Sequence, residues 1–335
     1  MKDKWILETK GLTKYFEVRS GFLDLNPRIV HAVDHVDLHL YPKGTLAFVG
    51  ESGCGKSTLA RLLLRLCEPT SGSVHLLGKR VLNFKGEELR SFRKHVQIIF
   101  QDPVASLNPR KTIFKILRDP LLLHGIADRR TAQEYIIDLL EKVGLSPASS
   151  YLDRYPREFS GGQRQRIGIA RAISVEPQVI IADEPVSALD ISVRAQILTL
   201  LKDLQQENDL TFLFITHDLA VVRSIAQYVA VMYLGEIVEI APVEEIFHDP
   251  LHPYTKALLA ATPIPNPRKV KARGKIILPG EPPSGIDPPK GCRFHPRCPN
   301  VLPECREIKP ARLPATNDRD VACHLTHPPG LITST

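Results

Sequence analysis

Val36, Leu38 and Leu40 alternate with Asp37 and His39, a period of two that predicts a strand with one buried face near the edge of a sheet. Three other runs do not alternate. Thr45-Leu46-Ala47-Phe48-Val49, Val179-Ile180-Ile181-Ala182 and Thr211-Phe212-Leu213-Phe214-Ile215 are short and continuously apolar, as expected for strands covered on both faces by helices. They predict the parallel centre of an α/β sheet. Leu59, Leu62, Leu63, Leu66 and Cys67 recur at helical spacing, so the segment after Gly55 reads as a helix with one buried stripe, ended by Glu68-Pro69-Thr70-Ser71-Gly72.

Between about Gln101 and Pro177 the pattern turns mainly helical. Thr131 and Glu134 have the spacing of a capping box, Ile136, Leu139, Leu140 and Val143 give one apolar face, and Gly144 suits a C-terminal cap. This stretch predicts a helical subdomain inserted into the α/β core. After Asp218 a short helix leads to Val229-Ala230-Val231-Met232-Tyr233 and, across Leu234-Gly235, to Glu236-Ile237-Val238-Glu239-Ile240, a predicted hairpin.

With 335 residues, 43% of them hydrophobic, the chain has enough apolar material for a sizeable core, which excludes disorder over most of its length. No run approaches the roughly 18 to 20 apolar residues of a membrane-spanning helix, and Met1-Lys2-Asp3-Lys4-Trp5 lacks a signal-peptide core, so a cytosolic chain is expected. A net charge of +7 suits phosphorylated ligands, nucleic acid or an anionic membrane surface equally. Proline usage changes the picture more than charge does, because 15 of the 28 prolines fall in residues 262–335. We therefore expect a large domain over residues 1–262 and a small, loop-rich extension over 263–335. The extension opens with Pro-Ile-Pro-Asn-Pro and the basic run Arg268-Lys269-Val270-Lys271-Ala272-Arg273.

Gly50-Glu51-Ser52-Gly53-Cys54-Gly55-Lys56-Ser57 matches G-x-x-x-x-G-K-[ST], placed after an apolar strand and before an amphipathic helix. Glycines here let backbone N–H groups wrap a polyphosphate, the helix start adds partial positive charge, Lys56 reaches the β- and γ-phosphates, and Ser57, followed by Thr58, brings a hydroxyl to Mg²⁺. Cys54 occupies a variable position of the motif and contributes its backbone. Val179–Ala182 runs into Asp183-Glu184, the order expected of a strand whose end faces the same phosphates, with Asp183 for Mg²⁺ and Glu184 for the attacking water. Ser160 and Gln163, in Phe159-Ser160-Gly161-Gly162-Gln163, form a second capping-box pair opening a helix through Ile167, Ala170 and Ile173.

Together these segments resemble the ATP-binding cassette (ABC) family over roughly residues 5–262, with Phe159 in place of the usual leucine of the signature. The resemblance implies a P-loop core with a parallel central sheet, an antiparallel N-terminal β subdomain and an inserted helical subdomain at about 101–177. It implies that Gln101 is the Q-loop residue sensing γ-phosphate and Mg²⁺, Asp190 in Ser187-Ala188-Leu189-Asp190 the D-loop acid, and His217 the switch histidine. Phe16 in Leu12-Thr13-Lys14-Tyr15-Phe16 aligns best with the aromatic that stacks on adenine, Tyr15 being the alternative. It further implies head-to-tail pairing, in which Ser160, Gly161, Gly162 and Gln163 of one cassette close over ATP held by the other.

His252-Pro253-Tyr254-Thr255, Ser106-Leu107-Asn108-Pro109-Arg110 and Ser192-Val193-Arg194-Ala195-Gln196 narrow the resemblance to the ATPases of dipeptide and oligopeptide importers, especially the type named F. Implied partners are a second, non-identical D-type ATPase, two membrane permease subunits and an extracytoplasmic peptide-binding protein, at the cytoplasmic face of the membrane. Nickel or oligosaccharide import is the alternative. A soluble cassette ATPase acting on nucleic acid or ribosomes is a further rival, but such proteins usually carry two cassettes or long heptad arms. This chain has one of each motif, with 126 residues between Lys56 and Asp183. Ser-Gly-Gly-Gln and the lack of an obvious Asn-Lys-x-Asp motif argue against a GTPase-type switch.

Four of the six cysteines, Cys292, Cys298, Cys305 and Cys323, lie in the extension with C-x₅-C-x₆-C-x₁₇-C spacing. In a cytosolic chain such clustering favours metal over disulfides, and cysteine-only ligation suits an iron–sulfur cluster as well as zinc, with free thiols a third reading. Resemblance to the cysteine-bearing tails of peptide importers implies a [4Fe–4S] cluster.

Overall fold

The computed structural model describes residues 5–19, 27–262, 278, 280–316 and 318–329; the Pro-Ile-Pro-Asn-Pro segment and the basic run at 268–273 lie outside them. The strands are β1 (Leu7–Val18), β2 (Arg28–Leu40), β3 (Thr45–Val49), β4 (Ser71–Leu76), β5 (Lys79–Arg80), β6 (Val96–Ile99), β7 (Val179–Asp183), β8 (Thr211–Ile215), β9 (Tyr228–Tyr233), β10 (Glu236–Pro242), β11 (Leu313–Thr316) and β12 (Arg319–Val321). The helices are α1 (Lys56–Leu63), α2 (Gly86–His95), α3 (Pro103–Ser106), α4 (Ile113–Leu123), α5 (Ala132–Lys142), α6 (Gly161–Ile173), α7 (Ile191–Glu207), α8 (Leu219–Ile225), α9 (Val243–His248) and α10 (Pro253–Ala261). They belong to two compact units. The first is drawn from Met1–Ile6, Leu40–Thr45 and Leu76–Ile215, the second from Leu7–His39, Leu46–His75 and Thr216–Thr335.

In the first unit β6, β7 and β8 run parallel, with Val96 opposite Val179 and Val179 opposite Thr211. This register brings the carboxyl ends of the strands to one edge, where Asp183 lies opposite Ile215. Ligands of open parallel sheets bind outside that edge. The continuous apolar runs of β7 and β8 are buried along their length, as two-sided cover requires. Helices α3 to α6 fill the predicted helical stretch. Gly144, in a left-handed conformation, ends α5 with its N–H on Glu141 O. The α5 N-terminus differs from expectation. Thr131 makes no side-chain cap, because its hydroxyl is engaged by Asp128, accepting from the Asp128 N–H and donating to Oδ1, which also accepts from the N–H groups of Arg130 and Thr131.

In the second unit β1 and β2 form a long antiparallel pair. Thr9 Oγ1 donates to Val36 O and accepts from Leu38 N–H, and further along β1 Thr13 Oγ1 accepts from His35 N–H. β2 is the edge strand in the order β2-β1-β4, and Val36, Leu38 and Leu40 are buried while Asp37 and His39 are exposed. A second group of strands follows the order β11-β12-β10-β9-β3, with β3 parallel to β9 and β9–β10 forming the expected hairpin. Both turn residues, Leu234 and Gly235, have positive φ, the requirement of a tight hairpin turn. The extension supplies β11 and β12, and β12 pairs antiparallel with β10, Val321 opposite Glu239.

The extension also fills the core. Phe294 is fully buried against Tyr233 and Tyr254, with ring centroids 5.2 and 5.4 Å away. Each such aromatic pair adds about 0.5–1.5 kcal/mol beyond its buried area. Glu239, with no exposed surface, pairs with buried Arg319 at 2.8 Å and also accepts the N–H groups of Leu251 and His252. A buried charge persists only when satisfied in this way. His252 in turn caps α10, its Nδ1 accepting from Tyr254 N–H at 3.1 Å.

Burial pushes the His252 pKa down to about 3, with Lys256 adding to the effect. Between the unfolded value of about 6.5 and that folded value, the unfolded chain binds a proton that the native ring refuses. Stability from this group is therefore whole above about pH 6.5 and is lost as pH falls toward 3, at up to about 1.4 kcal/mol per pH unit. Urea unfolding at a series of pH values should show this slope, and His252→Asn, which retains an acceptor for Tyr254 N–H, should flatten it.

Candidate functional site

The Gly50–Ser57 loop joins β3 to α1 within the second unit, and backbone from elsewhere presses on it at Gly50 and Gly55. A Cβ on Gly55, at φ 110°, would lie 2.1 Å from Ala32 O, and one on Gly50 would lie 2.2 Å from Met232 O. Helix α1 starts at Gly55 with no side-chain cap, which leaves its first amides directed at an anion. Lys56 is almost wholly buried, its ammonium donating to Gly50 O at 2.8 Å and Glu51 O at 2.9 Å, with Cys54 Sγ 3.5 Å away. Ser52 and Gly53 are exposed at the loop tip, and Ser57 and Thr58 are half-buried in the first helical turn. Cys54 is buried, and burial raises its thiol pKa, opposed by Lys56, so it is a poor nucleophile.

The α1 stripe is shorter than its spacing predicts. Leu59, Leu62 and Leu63 are buried, but Arg65 turns left-handed (φ 52°), the helix closes at Leu63, and Leu66 is 57% exposed. Cys67 lies beyond the helix, half-buried.

In the first unit, the strand edge gathers Gln101, Asp183 and Glu184. Gln101 Nε2 donates to Glu184 Oε2 at 3.0 Å, joining two residues 83 positions apart in sequence. Glu184 has a left-handed backbone (φ 46°), costly for a non-glycine residue. Its N–H donates to Ile215 O at 2.9 Å and its C=O accepts from the Ser187 hydroxyl, which holds the turn. Spacing gave no sign of this strain.

Ser160 and Gln163 form the expected reciprocal box, Ser160 N–H donating to Gln163 Oε1 at 3.0 Å and Gln163 N–H to Ser160 Oγ at 3.2 Å. The start of α6 packs tightly on the D-loop region. A Cβ on Gly162 would meet Val193 Cγ1 at 2.6 Å, and one on Gly161 would meet Leu189 at 3.8 Å. Asp190 sits at the N-terminus of α7 without a side-chain cap. His217, in the second unit, is exposed after Thr216, whose hydroxyl accepts from Asp218 N–H.

The two aromatic candidates separate clearly. Tyr15 is committed: its hydroxyl donates to Asp34 at 2.8 Å, its ring packs 4.2 Å from His31, and burial and Asp34 push its pKa up to about 12. Phe16 is 40% exposed, with the Lys14 ammonium 5.0 Å from its ring centre.

The four tail cysteines are free thiols, Cys305 and Cys323 buried and the other two half-buried. Cys292 N–H donates to Cys305 O, and burial pushes the Cys292 thiol up to about 12, with Cys305, Cys323 and Cys298 close enough to add to it. Soft thiol donors thus come together. Yet among the described residues no group of three or more His, Cys, Asp or Glu side chains is placed to hold a metal ion, so the expected cluster or zinc ion has no support from a ready-made site.

A phosphate loop, a carboxylate-ended strand later in the sequence and a Ser-Gly-Gly-Gln helix start are the parts of a P-loop ATPase of the cassette type. Residues 33–187 match the ABC transporter family, and residues 238–305 match the oligopeptide/dipeptide transporter C-terminal region. The oligopeptide transport ATP-binding protein AppF of Bacillus subtilis is 50% identical over 96% of this chain and 97% of its own length. The oligopeptide transport ATP-binding protein OppF of Escherichia coli is 50% identical over 92% of each chain. The chain belongs to the ABC transporter family, in the group of dipeptide and oligopeptide transport ATP-binding proteins, and is an ABC-type ATPase. Among solved structures, the dimeric post-hydrolysis cassette MJ0796 with ADP and phosphate aligns with a TM-score of 0.62 at 27% identity, covering 71% of this chain and 98% of that one. No helix among the described residues is long and apolar enough to cross a membrane.

Gly55→Ala should place a methyl against Ala32 O in a backbone conformation that L-residues rarely adopt. We expect a loss of about 1–3 kcal/mol in urea unfolding and loss of fluorescent ATP-analogue binding; an unchanged variant would contradict the close approach.

Proposed function

We propose that this chain is the ATP-binding and ATP-hydrolysing subunit that powers import of di- and oligopeptides through a membrane permease. The observation that carries the proposal is the Gln101–Glu184 contact at the strand edge, in a chain about half identical to named oligopeptide transport ATPases along nearly its whole length.

In this reading residues 1–262 are the nucleotide-binding domain, with a helical subdomain at about 101–177, and residues 263–335 are the extension. Phe16 stacks on adenine. Amides from Gly50 to Thr58 cradle the phosphates and Lys56 balances their charge. The hydroxyl, carboxylate and carboxamide oxygens of Ser57, Asp183 and Gln101 are hard donors suited to Mg²⁺, which when bound screens the phosphate charge. Glu184 takes a proton from the attacking water, and His217 orients it toward the γ-phosphate. Gln101, in contact with Glu184, relays the presence of γ-phosphate to the helical subdomain.

ATP is completed by a second cassette, whose Ser160, Gly161, Gly162 and Gln163 meet the γ-phosphate and whose Asp190 lies at the shared seam. The 85% exposed Ile191, an apolar side chain beside Asp190, supports burial against such a partner. The partner is a non-identical D-type ATPase, and the pair docks two permease subunits at the cytoplasmic membrane face, served by an extracytoplasmic peptide-binding protein. The exposed Phe100 and Val104, flanking Gln101, support the helical subdomain as the docking element. The four cysteines Cys292, Cys298, Cys305 and Cys323 hold a [4Fe–4S] cluster with a structural or redox-sensing role, zinc being the alternative. Their soft donor chemistry supports it.

Glu184→Gln should retain ATP binding while steady-state hydrolysis falls by about 10² to 10⁴, and should stabilise the closed pair. Unchanged phosphate release in that variant refutes the role of Glu184. Metal analysis of protein purified without oxygen should find about four irons per chain. Finding neither iron nor zinc removes the cluster.

A further inference from the structure

Glu51, the second residue of the phosphate loop, is held from outside the loop at both backbone and side chain. Its N–H donates to the hydroxyl of Tyr254, a fully buried residue of α10, at 2.9 Å. Its carboxylate receives both terminal nitrogens of Arg297, at 2.8 and 3.2 Å. The C=O of Glu51 is one of the two carbonyls that hold the Lys56 ammonium, and it also accepts from Cys54 N–H. A shift of Glu51 therefore moves the ammonium and the loop amides together.

Arg297 is well anchored for such a grip. It closes a single helical turn, His295–Arg297, with its N–H on Phe294 O, and Phe294 is locked among Tyr233 and Tyr254. The guanidinium is mostly buried, and a bidentate charge-assisted pair in such a setting is both stronger and more directional than a surface ion pair. Without Arg297, a carboxylate would stand uncompensated on the loop that must receive a polyanion, and Glu51 would lose its side-chain support. Every group in this chain of contacts lies in the second unit.

We propose that Arg297, in the cysteine-bearing extension, is a positioning residue for the phosphate loop: through Glu51 it sets the placement of Lys56 and hence nucleotide affinity. Nothing in the loop motif encodes this dependence, and it makes the extension part of the ATP site. The proposal rests on ATP binding at Gly50–Thr58.

The test is equilibrium binding of a fluorescent ATP analogue to the purified full chain, comparing wild type, Arg297→Ala, Arg297→Lys, Glu51→Gln and the Arg297→Ala/Glu51→Gln double variant. Failure of the wild type to bind would defeat the ATPase reading itself. With a binding wild type, each single variant should weaken affinity by about 5- to 30-fold, the scale of one to two kcal/mol, with Arg297→Lys intermediate because an ammonium cannot grip both oxygens. The double variant should be no weaker than the weaker single, as expected of one shared interaction. Affinities within twofold of wild type for Glu51→Gln, or additive losses in the double variant, would overturn the proposal. Glu51→Gln is near-isosteric and decides the matter even if the arginine variants do not fold.

Discussion

Backbone amides can surround a polyphosphate only where the chain is held open against its own tendency to fold back on itself. Here that constraint is met by contact with other backbone: Gly55 under Ala32 of β2 and Gly50 under Met232 of β9. At such distances no Cβ fits, so Gly50 and Gly55 are required by these two close approaches. Much of the second unit, from the aromatic core to the hairpin turn, serves to keep those neighbours in place.

Charge is handled in the same unit by pairing buried groups rather than exposing them. Arg293 of the extension binds Asp34 of β2 and Glu236 of β10, and Lys309 reaches the same two carboxylates. The hydrogen bonds of His35 and Tyr15, with Arg293 and Lys309, hold the Asp34 carboxyl well below its usual range despite burial. This network engages Tyr15 on the protein's own carboxylate, while its neighbour Phe16 stays exposed.

Features governed by local periodicity were legible in the sequence. The apolar runs of β3, β7 and β8, the alternation in β2, the Leu234-Gly235 turn and the Ser160–Gln163 box all depend on neighbours within a few positions. The misses share a cause. Thr131 has the right spacing to cap α5, but its hydroxyl is taken by Asp128, accepting from the Asp128 N–H and donating to its carboxylate. Leu66 continues a helical stripe only until Arg65 turns left-handed. The strain at Glu184, the pairing of β12 with β10 and the grip of Arg297 on Glu51 arise between residues far apart in the chain or from backbone torsion, and neither leaves a periodic trace. The motif residues could be named from local spacing, whereas the residues that support them from a distance could not.

Apart from Ala32 of β2, which precedes it, the supports of the phosphate loop share a place in the chain: Met232, Gly235, which donates to Cys54 O, Tyr254 and Arg297 all follow the loop by more than 170 residues. A nascent chain emerging from the ribosome therefore carries the loop long before the groups that shape it. Because a domain folds as a unit, the contacts around the loop are complete only once residues as far along as Arg297 have been made.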